Sequence, residues 1–402
     1  MVSESKITGV VGEEIKDSRG NPTVKVTVLA GEVSGSFSVP SGASTGSLEA
    51  RVIPAGDVIE KINNIIAPAL MGKNIFNQRE IDEALLALDG TKDKSNLGGN
   101  SMIGVSIACA KVAARAKNLE TFQYLRELAK IEPSRKIPHL YMNLINGGKH
   151  ARTRLAFQEY LIVPETDNVL EAIEIGMKIQ NSLKEKVIKK FGAGSAEYGD
   201  EGGFAIGTED IKEPLYLLHE VIKDNGLENK VRLALDVAAS SFYEKDKYKI
   251  ADKDFSAEEM LELYDDLIKK FNVLSVEDPF QEKDFENFGK LINAHNGLLV
   301  VGDDLTVTNI SMTQEAVKNK SINAMIIKPN QIGTLTETLD TMRLARDNGV
   351  ELIVSHRSGE TDDDFIADLA YAFGCFGLKA GAPSKAERII KYKRLENICK
   401  MD

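Results

Sequence analysis

Apolar and polar residues alternate along "TVKVTVLAG" and "VSGSFSVP", and the two runs meet near Gly31. That period of two, broken at a glycine, predicts a hairpin within an extended region over residues 6–40. A loop of small residues, "PSGASTGS" (40–47), comes next. From Asp57 the spacing lengthens to that of amphipathic helices in "VIEKINNIIAPAL", "QREIDEALLALDG" and "SMIGVSIACAKVAARAKNL". Strands followed by helices predict a small α+β unit over residues 1–129. "KIEPSRKIPH" (130–139), with its two prolines, reads as a linker to a second unit over 137–402.

In that second unit short apolar runs alternate with helical segments such as "TLTETLDTMRLARDNGV", which predicts a parallel sheet. Each apolar run ends on a polar residue. "VRLALD" ends at Asp236, "NVLSVE" at Glu277, "LLVVGD" at Asp303 and "AMIIK" at Lys328. "ELIVSHR" ends at Ser355, His356 and Arg357, and "CFGLK" at Lys379. After one longer step, the ends recur at the spacing of ordinary strand, loop and helix units. Equal βα units predict a (β/α)8-type barrel, in which all six ends would face one mouth. A doubly wound open sheet is the competing fold, but it would spread the ends along a line.

Composition narrows the function. The chain has 402 residues, 43% of them apolar, and a formal charge of −11. An acidic chain without a basic face is a poor partner for nucleic acid or anionic membrane. An anionic substrate would need a local cationic pocket or metal ions. Cys109, Cys375 and Cys399 lie far apart and form no CxxC pair, as expected of free thiols in a reducing cytoplasm. The start "MVSESKITGV" carries no signal-peptide pattern, and no apolar run is long enough to span a bilayer.

The polar strand ends suggest chemistry. Asp236, Glu277 and Asp303 form a hard, oxygen-only donor set that favours Mg²⁺ or Mn²⁺ over Zn²⁺. The bland alternative makes each acid a helix N-cap or a solvated loop residue. In "MIIKPNQIG", Lys328 stands at the tip of a buried run, where a lone lysine would be a solvated gatekeeper. Beside cations and a second lysine, Lys379, its pKa is expected to fall, which makes it a base. Arg357 offers a fork for phosphate or carboxylate. Glu201, in "YGDEGGFA", is the candidate acid, although alone that stretch reads as an acidic turn. "FQEYLIV" adds Gln158 and Glu159, and "NGGKHA" places His150 on a glycine loop. Base, acid, metal and anionic anchor together suit proton abstraction beside a carboxylate followed by β-elimination.

Over essentially its whole length the chain resembles the enolase family, the phosphopyruvate hydratases. "DSRGNPTV", "VPSGASTG", "GDEGGFA", "SVEDPF", "VGDDLTVTN", "KPNQIGTLTET" and "SHRSGETDD" carry the likeness. The resemblance implies a small α+β domain before an atypical barrel, and reversible dehydration of 2-phosphoglycerate to phosphoenolpyruvate. Lys328 would then be the base and Glu201 the acid, supported by Glu159. Asp236, Glu277 and Asp303 would bind a first Mg²⁺, and Ser44 would help hold a second that arrives with substrate. Arg357 and Ser358 would take the phosphate, with Ser355 and His356 beside them. Lys379 and Gln158 would contact substrate, and His150 would close over it. A homodimer or a higher oligomer is implied too. The same likeness leaves room for a silent paralogue acting as a scaffold, or an enzyme of the superfamily working on another carboxylate. Four stretches depart from the family pattern. The segment after "GASTG" is shortened, Lys149 and Arg152 make the histidine loop basic, Glu13 and Glu14 replace a basic residue, and "LENICKMD" lacks the acidic, aromatic tail.

Overall fold

The computed structural model describes residues 5–42, 46 and 48–402. An antiparallel sheet opens the chain, with β1 (Gly9–Lys16), β2 (Pro22–Ala30) and β3 (Val33–Ser38) in that order. The hairpin expected at Gly31 joins β2 to β3. Val24, Val26, Val28 and Ala30 alternate inward along β2 and are buried. The helix Gly99–Ala116 lies on this sheet. Gly35 sets the approach, because a Cβ there would sit 2.4 Å from the backbone nitrogen of Val112. Helices continue to Leu128, and the next strand begins at His139.

Eight strands close a barrel: β4 (His139–Asn146), β5 (Glu159–Pro164), β6 (Val231–Asp236), β10 (Val273–Glu277), β11 (Leu299–Gly302), β12 (Ala324–Ile327), β13 (Glu351–Ser355) and β14 (Gly377–Lys379). Between β6 and β10 a small meander of β7 (Tyr243–Glu244), β8 (Lys247–Ile250) and β9 (Lys253–Phe255) stands apart. Most barrel strands read as unbroken apolar runs because both faces are covered. Tyr141, Leu161, Ala234, Leu274, Val301 and Ile326 belong to the cluster that fills the interior. The alternate residues join the larger core against the helices.

One strand breaks the parallel rule. β5 pairs antiparallel with both β4 and β6. The connection from Asn146 to Glu159 holds only a 3₁₀ turn at Gly148–His150, too short for a crossover helix, so the chain doubles back. Two helices, Val169–Phe191 and Glu213–Asp224, then follow before β6. The first returns the chain to the mouth and the second takes it away again, so their connecting loop, which includes Glu201, lies at the mouth.

The first unit is fastened to the barrel at that mouth. Ser41 and Gly359 exchange backbone hydrogen bonds of 2.7 and 2.8 Å, and the Ser18 amide donates to the Glu360 carbonyl at 2.7 Å. All three cysteines are free thiols, as expected. Among the described residues no helix is long and apolar enough to cross a membrane.

Candidate active site

Strand register brings the acids together. Asn146, Glu159, Asp236 and Glu277 are successive cross-strand partners along one rung of the mouth. Glu159 enters from the first residue of β5, which is at the mouth only because that strand runs backwards. Ser355 and Lys379 pair on the opposite side. Asp303 and Lys328 follow the last residues of β11 and β12. The narrow cleft between them is lined by His150, Gln158, Glu201, Lys328, Arg357 and Lys379 among others.

Lys379 stands at the centre. Its Nζ is 3.0 Å from Asp236, 2.7 Å from Glu277 and 3.3 Å from Glu159, with almost no solvent exposure. Burial alone would lower its pKa, but Asp236, Glu159 and Glu277 outweigh it and hold the ammonium well above its ordinary range. Gln158 donates to Asp236 at 3.3 Å. Burial and Asp236 push Glu277 up.

Lys328 donates to Asp303. Its other supports come from a strained loop. Val307 and Thr308 have φ of 42° and 53°, a region costly for β-branched residues. The Thr308 hydroxyl accepts from the Lys328 amide at 2.9 Å and donates to Gln331 at 2.8 Å. Gln331 in turn donates to Asp303 at 2.9 Å. The expected fall in the Lys328 pKa is not what this arrangement produces. Burial favours a fall, but Asp303 overrides it and raises the group. Where neighbouring cations were expected to dominate, a touching carboxylate does so instead.

The acid side is equally dense. Glu201 accepts from Asn143 at 3.0 Å. His150 Nδ1 lies 3.1 Å from Glu159 and 3.4 Å from Glu201, and His356 Nε2 lies 3.4 Å from Glu201. Burial and the neighbouring Glu201 push Glu159 up to about 7. Burial also opposes ionisation of Glu201, but His150, His356 and Arg388 outweigh it and hold that carboxyl well below its usual range. Of the two adjacent carboxyls, Glu159 is thus the one that holds a proton more readily.

Arg357 faces Glu49 of the first unit at 3.0 Å and also donates to Asn330 at 3.1 Å. Ser355 Oγ donates to the His356 carbonyl at 3.0 Å. Ser358 sits in the same turn, its carbonyl accepting from Arg388 at 2.7 Å. Ser44 lies outside the described residues. Of the four departures, Glu13 pairs with Lys25 at 3.1 Å on the sheet surface, and Lys149 and Arg152 lie on the loop that carries His150.

The donor set fits a hard divalent cation, because Asp236, Glu277 and Asp303 supply only carboxylate oxygens and each now meets a lysine ammonium. Among the described residues, the groups whose carboxyl and histidine atoms draw within 4.8 Å of one another are His150 with Glu159 and Glu201, and Asp278 with Asp303 and Asp304; Asp236 and Glu277 stand outside both. Sequence reasoning passed over Asn143, Asp278, Gln331, Glu49 and Arg388. The backbone amides of Asp303 and Asp304 donate to Asp278 at 3.0 and 2.8 Å. "SVEDPF" and "VGDDL" hinted at that pair by placing two acids together at each strand end.

Similarity to known proteins runs along both units. Residues 7–125 match the family model "Enolase, N-terminal domain" and residues 134–400 match "Enolase, C-terminal TIM barrel domain". "Enolase" of Corynebacterium kroppenstedtii is 42% identical, with 98% of this chain and 95% of that protein covered. "Enolase B" of Dictyostelium discoideum is 41% identical, covering 98% and 94%. "Enolase" of Methanocaldococcus jannaschii is 42% identical, covering 98% and 95%. With a barrel reversed at its second strand, a rung of acids facing two lysines, and likeness along nearly its whole length, the chain belongs to the enolase family.

Proposed function

We propose that the chain carries out the enolase reaction, reversible dehydration of 2-phosphoglycerate to phosphoenolpyruvate, with Lys328 as base and Glu201 as acid. What supports this most is one juxtaposition. Lys328, Asp236, Glu201 and Arg357 line a single cleft, and Asp303 and Glu277 stand behind it, ion-paired to Lys328 and Lys379.

Arg357 and Ser358 take the phosphate, Arg357 leaving Glu49 to do so. The fork then fixes the rest of the substrate, a positioning effect rather than a chemical one. Asp236, Glu277 and Asp303 hold Mg²⁺. Bound there, the ion would supply positive charge against the charge that builds on the substrate carboxylate, and would favour neutral lysine beside it. Lys328 Nζ accepts the C2 proton once Asp303 is drawn from it. Glu159 passes its proton to Glu201 by way of His150, and Glu201 then gives that proton to the departing C3 hydroxyl. Lys379 and Gln158 orient the substrate carboxylate, and His150 covers it. Lys149 and Arg152 add positive charge beside His150, which suits a phosphorylated substrate. The reading extends to two Mg²⁺ per site, the second held with Ser44, to a homodimer, and to the cytoplasm. It takes residues 1–129 as the loop-bearing domain and 137–402 as the catalytic barrel.

The test is the rise of phosphoenolpyruvate absorbance on adding 2-phosphoglycerate and Mg²⁺. A rise abolished by chelator and cut about 10²–10⁴-fold in Lys328→Ala is expected. No rise from folded, Mg²⁺-binding protein overturns the proposal.

A further inference from the structure

The helix Ala386–Met401 sends a guanidinium into the site from outside the barrel. Arg388 is fully buried. Its Nη1 lies 2.5 Å from His356 Nδ1 and 2.6 Å from the Arg357 carbonyl. Its Nη2 donates to the carbonyls of Ser358 at 2.7 Å and Asp200 at 3.1 Å. One group thus ties the phosphate-binding turn to the loop of the acid. Space around it is filled. A Cβ on Gly381, whose φ is +82°, would lie 3.0 Å from both Arg388 Cδ and His356 Cε1.

A guanidinium has five N–H donors, no acceptor, and does not lose its proton in proteins. His356 Nδ1 must therefore accept, and the ring proton must sit on Nε2. Nε2 faces Glu201 Oε2 at 3.4 Å, and Asn143 donates to the same oxygen at 3.0 Å. Oε2 thus faces the Asn143 amide and the His356 ring, while Oε1 faces His150 Nδ1 at 3.4 Å.

We infer that Arg388 is a positioning residue that fixes His356 as the neutral Nε2–H tautomer, and that this reserves Oε1 of Glu201 for the transferable proton. The assignment of Glu201 as acid rests on the proposed function, but the tautomer does not. Burial, then Arg388, outweigh Glu201 and push His356 down to about 4, so the ring stays neutral across the working range. The opposite tautomer would turn a lone pair toward Oε2 and pull the proton to the wrong oxygen. Lys391, one turn further along the same helix, steadies the turn. It pairs with Glu360 at 2.8 Å, and Glu360 accepts from the Arg357 amide at 3.1 Å.

The experiment is ¹⁵N NMR of histidine-labelled full-length protein, with the His356 signal identified by its loss in His356→Gln. In the parent protein that signal should report a neutral Nε2–H ring from pH 8 to about 5, a range lying wholly above its pKa of about 4. Arg388→Lys and Arg388→Met should disturb this signature. They should slow dehydration about 100-fold while leaving KM and C2 proton exchange into D₂O within about tenfold, as expected for loss of acid assistance alone. A parent ring that is Nδ1–H or imidazolium overturns the inference without any variant. So does an Arg388 variant that keeps both the signature and the ratio of exchange to dehydration. If the parent makes no phosphoenolpyruvate, the enolase reading falls, and the NMR arm still decides the tautomer.

Discussion

Glu159 shows what burial does to one carboxyl. Its side chain is 1% exposed, and its pKa stands near 7 against an ordinary 4.5. The native state then binds the proton more tightly than the unfolded chain between those values. Stability in that window should fall as pH rises, being fully present below about 4.5 and lost through 7. In chelator-treated protein, Glu159→Gln should flatten this slope by on the order of 2–3 kcal/mol across the window. Urea midpoints measured at half-unit steps of pH would show it, and an unchanged slope would reject Glu159 as the source. The sequence marked Asp236, Glu277, Asp303, Lys328, Arg357 and Lys379 as candidates, because a charged group at the end of a buried apolar run is costly unless it has a partner or a task. It announced charge states poorly. Lys328 was expected to be depressed, but a pKa depends on which group touches it, and the contact with Asp303 is set by fold geometry.

At the scale of elements, two features carry the site, and both were hidden in the pattern. The reversal of β5 places the start of a strand where ends are expected, so Gln158 and Glu159, read at the start of a strand-like run, gave no sign that they share a mouth with the strand ends. The helix Ala386–Met401 buries Arg388 and Lys391 on the same face as Tyr392, Leu395 and Ile398. Cations on an inward face erase the amphipathic signal, so the periodicity that revealed other helices was silent about this one. The reversal also has a local requirement. A Cβ on Gly147 would lie 2.3 Å from the Phe157 carbonyl oxygen and 2.9 Å from that of Leu155. Backbone on both sides cannot yield as a side chain can. Gly147→Ala should therefore cost about 2–3 kcal/mol in urea unfolding. It should reduce kcat further than stability alone predicts, because His150 rides on the displaced loop. Ordinary stability and kcat in this variant would mean that the loop relaxes freely.

For the whole molecule, the junction between the two units doubles as part of the proposed phosphate site. Glu49 and Arg357 are 6% and 4% exposed and pair across it. Removing one partner of a buried pair leaves the other uncompensated, so Glu49→Gln should destabilise the free protein by about 3 kcal/mol. The same change removes a competitor for the arginine, so inorganic phosphate should raise the melting temperature of the variant more than that of the parent. A scan with and without phosphate checks both signs. Equal shifts would mean that Glu49 does not contest the site. No motif pointed to Glu49, since its partner lies 308 positions away along the chain.

The barrel closes by pairing β14 with β4, so that Gly377 lies against His139. A ribosome has threaded seven of the eight strands before the closing one exists, and the helix with Arg388 emerges later still. Contacts so distant in sequence form slowly and late. Until then the acidic rung lacks Lys379, and the turn at His356 lacks its anchor. A nascent or truncated chain thus has no weaker version of this catalyst to offer. Its incomplete barrel exposes apolar faces of the kind that chaperones and proteases act on, and activity is expected only once the final seam has formed.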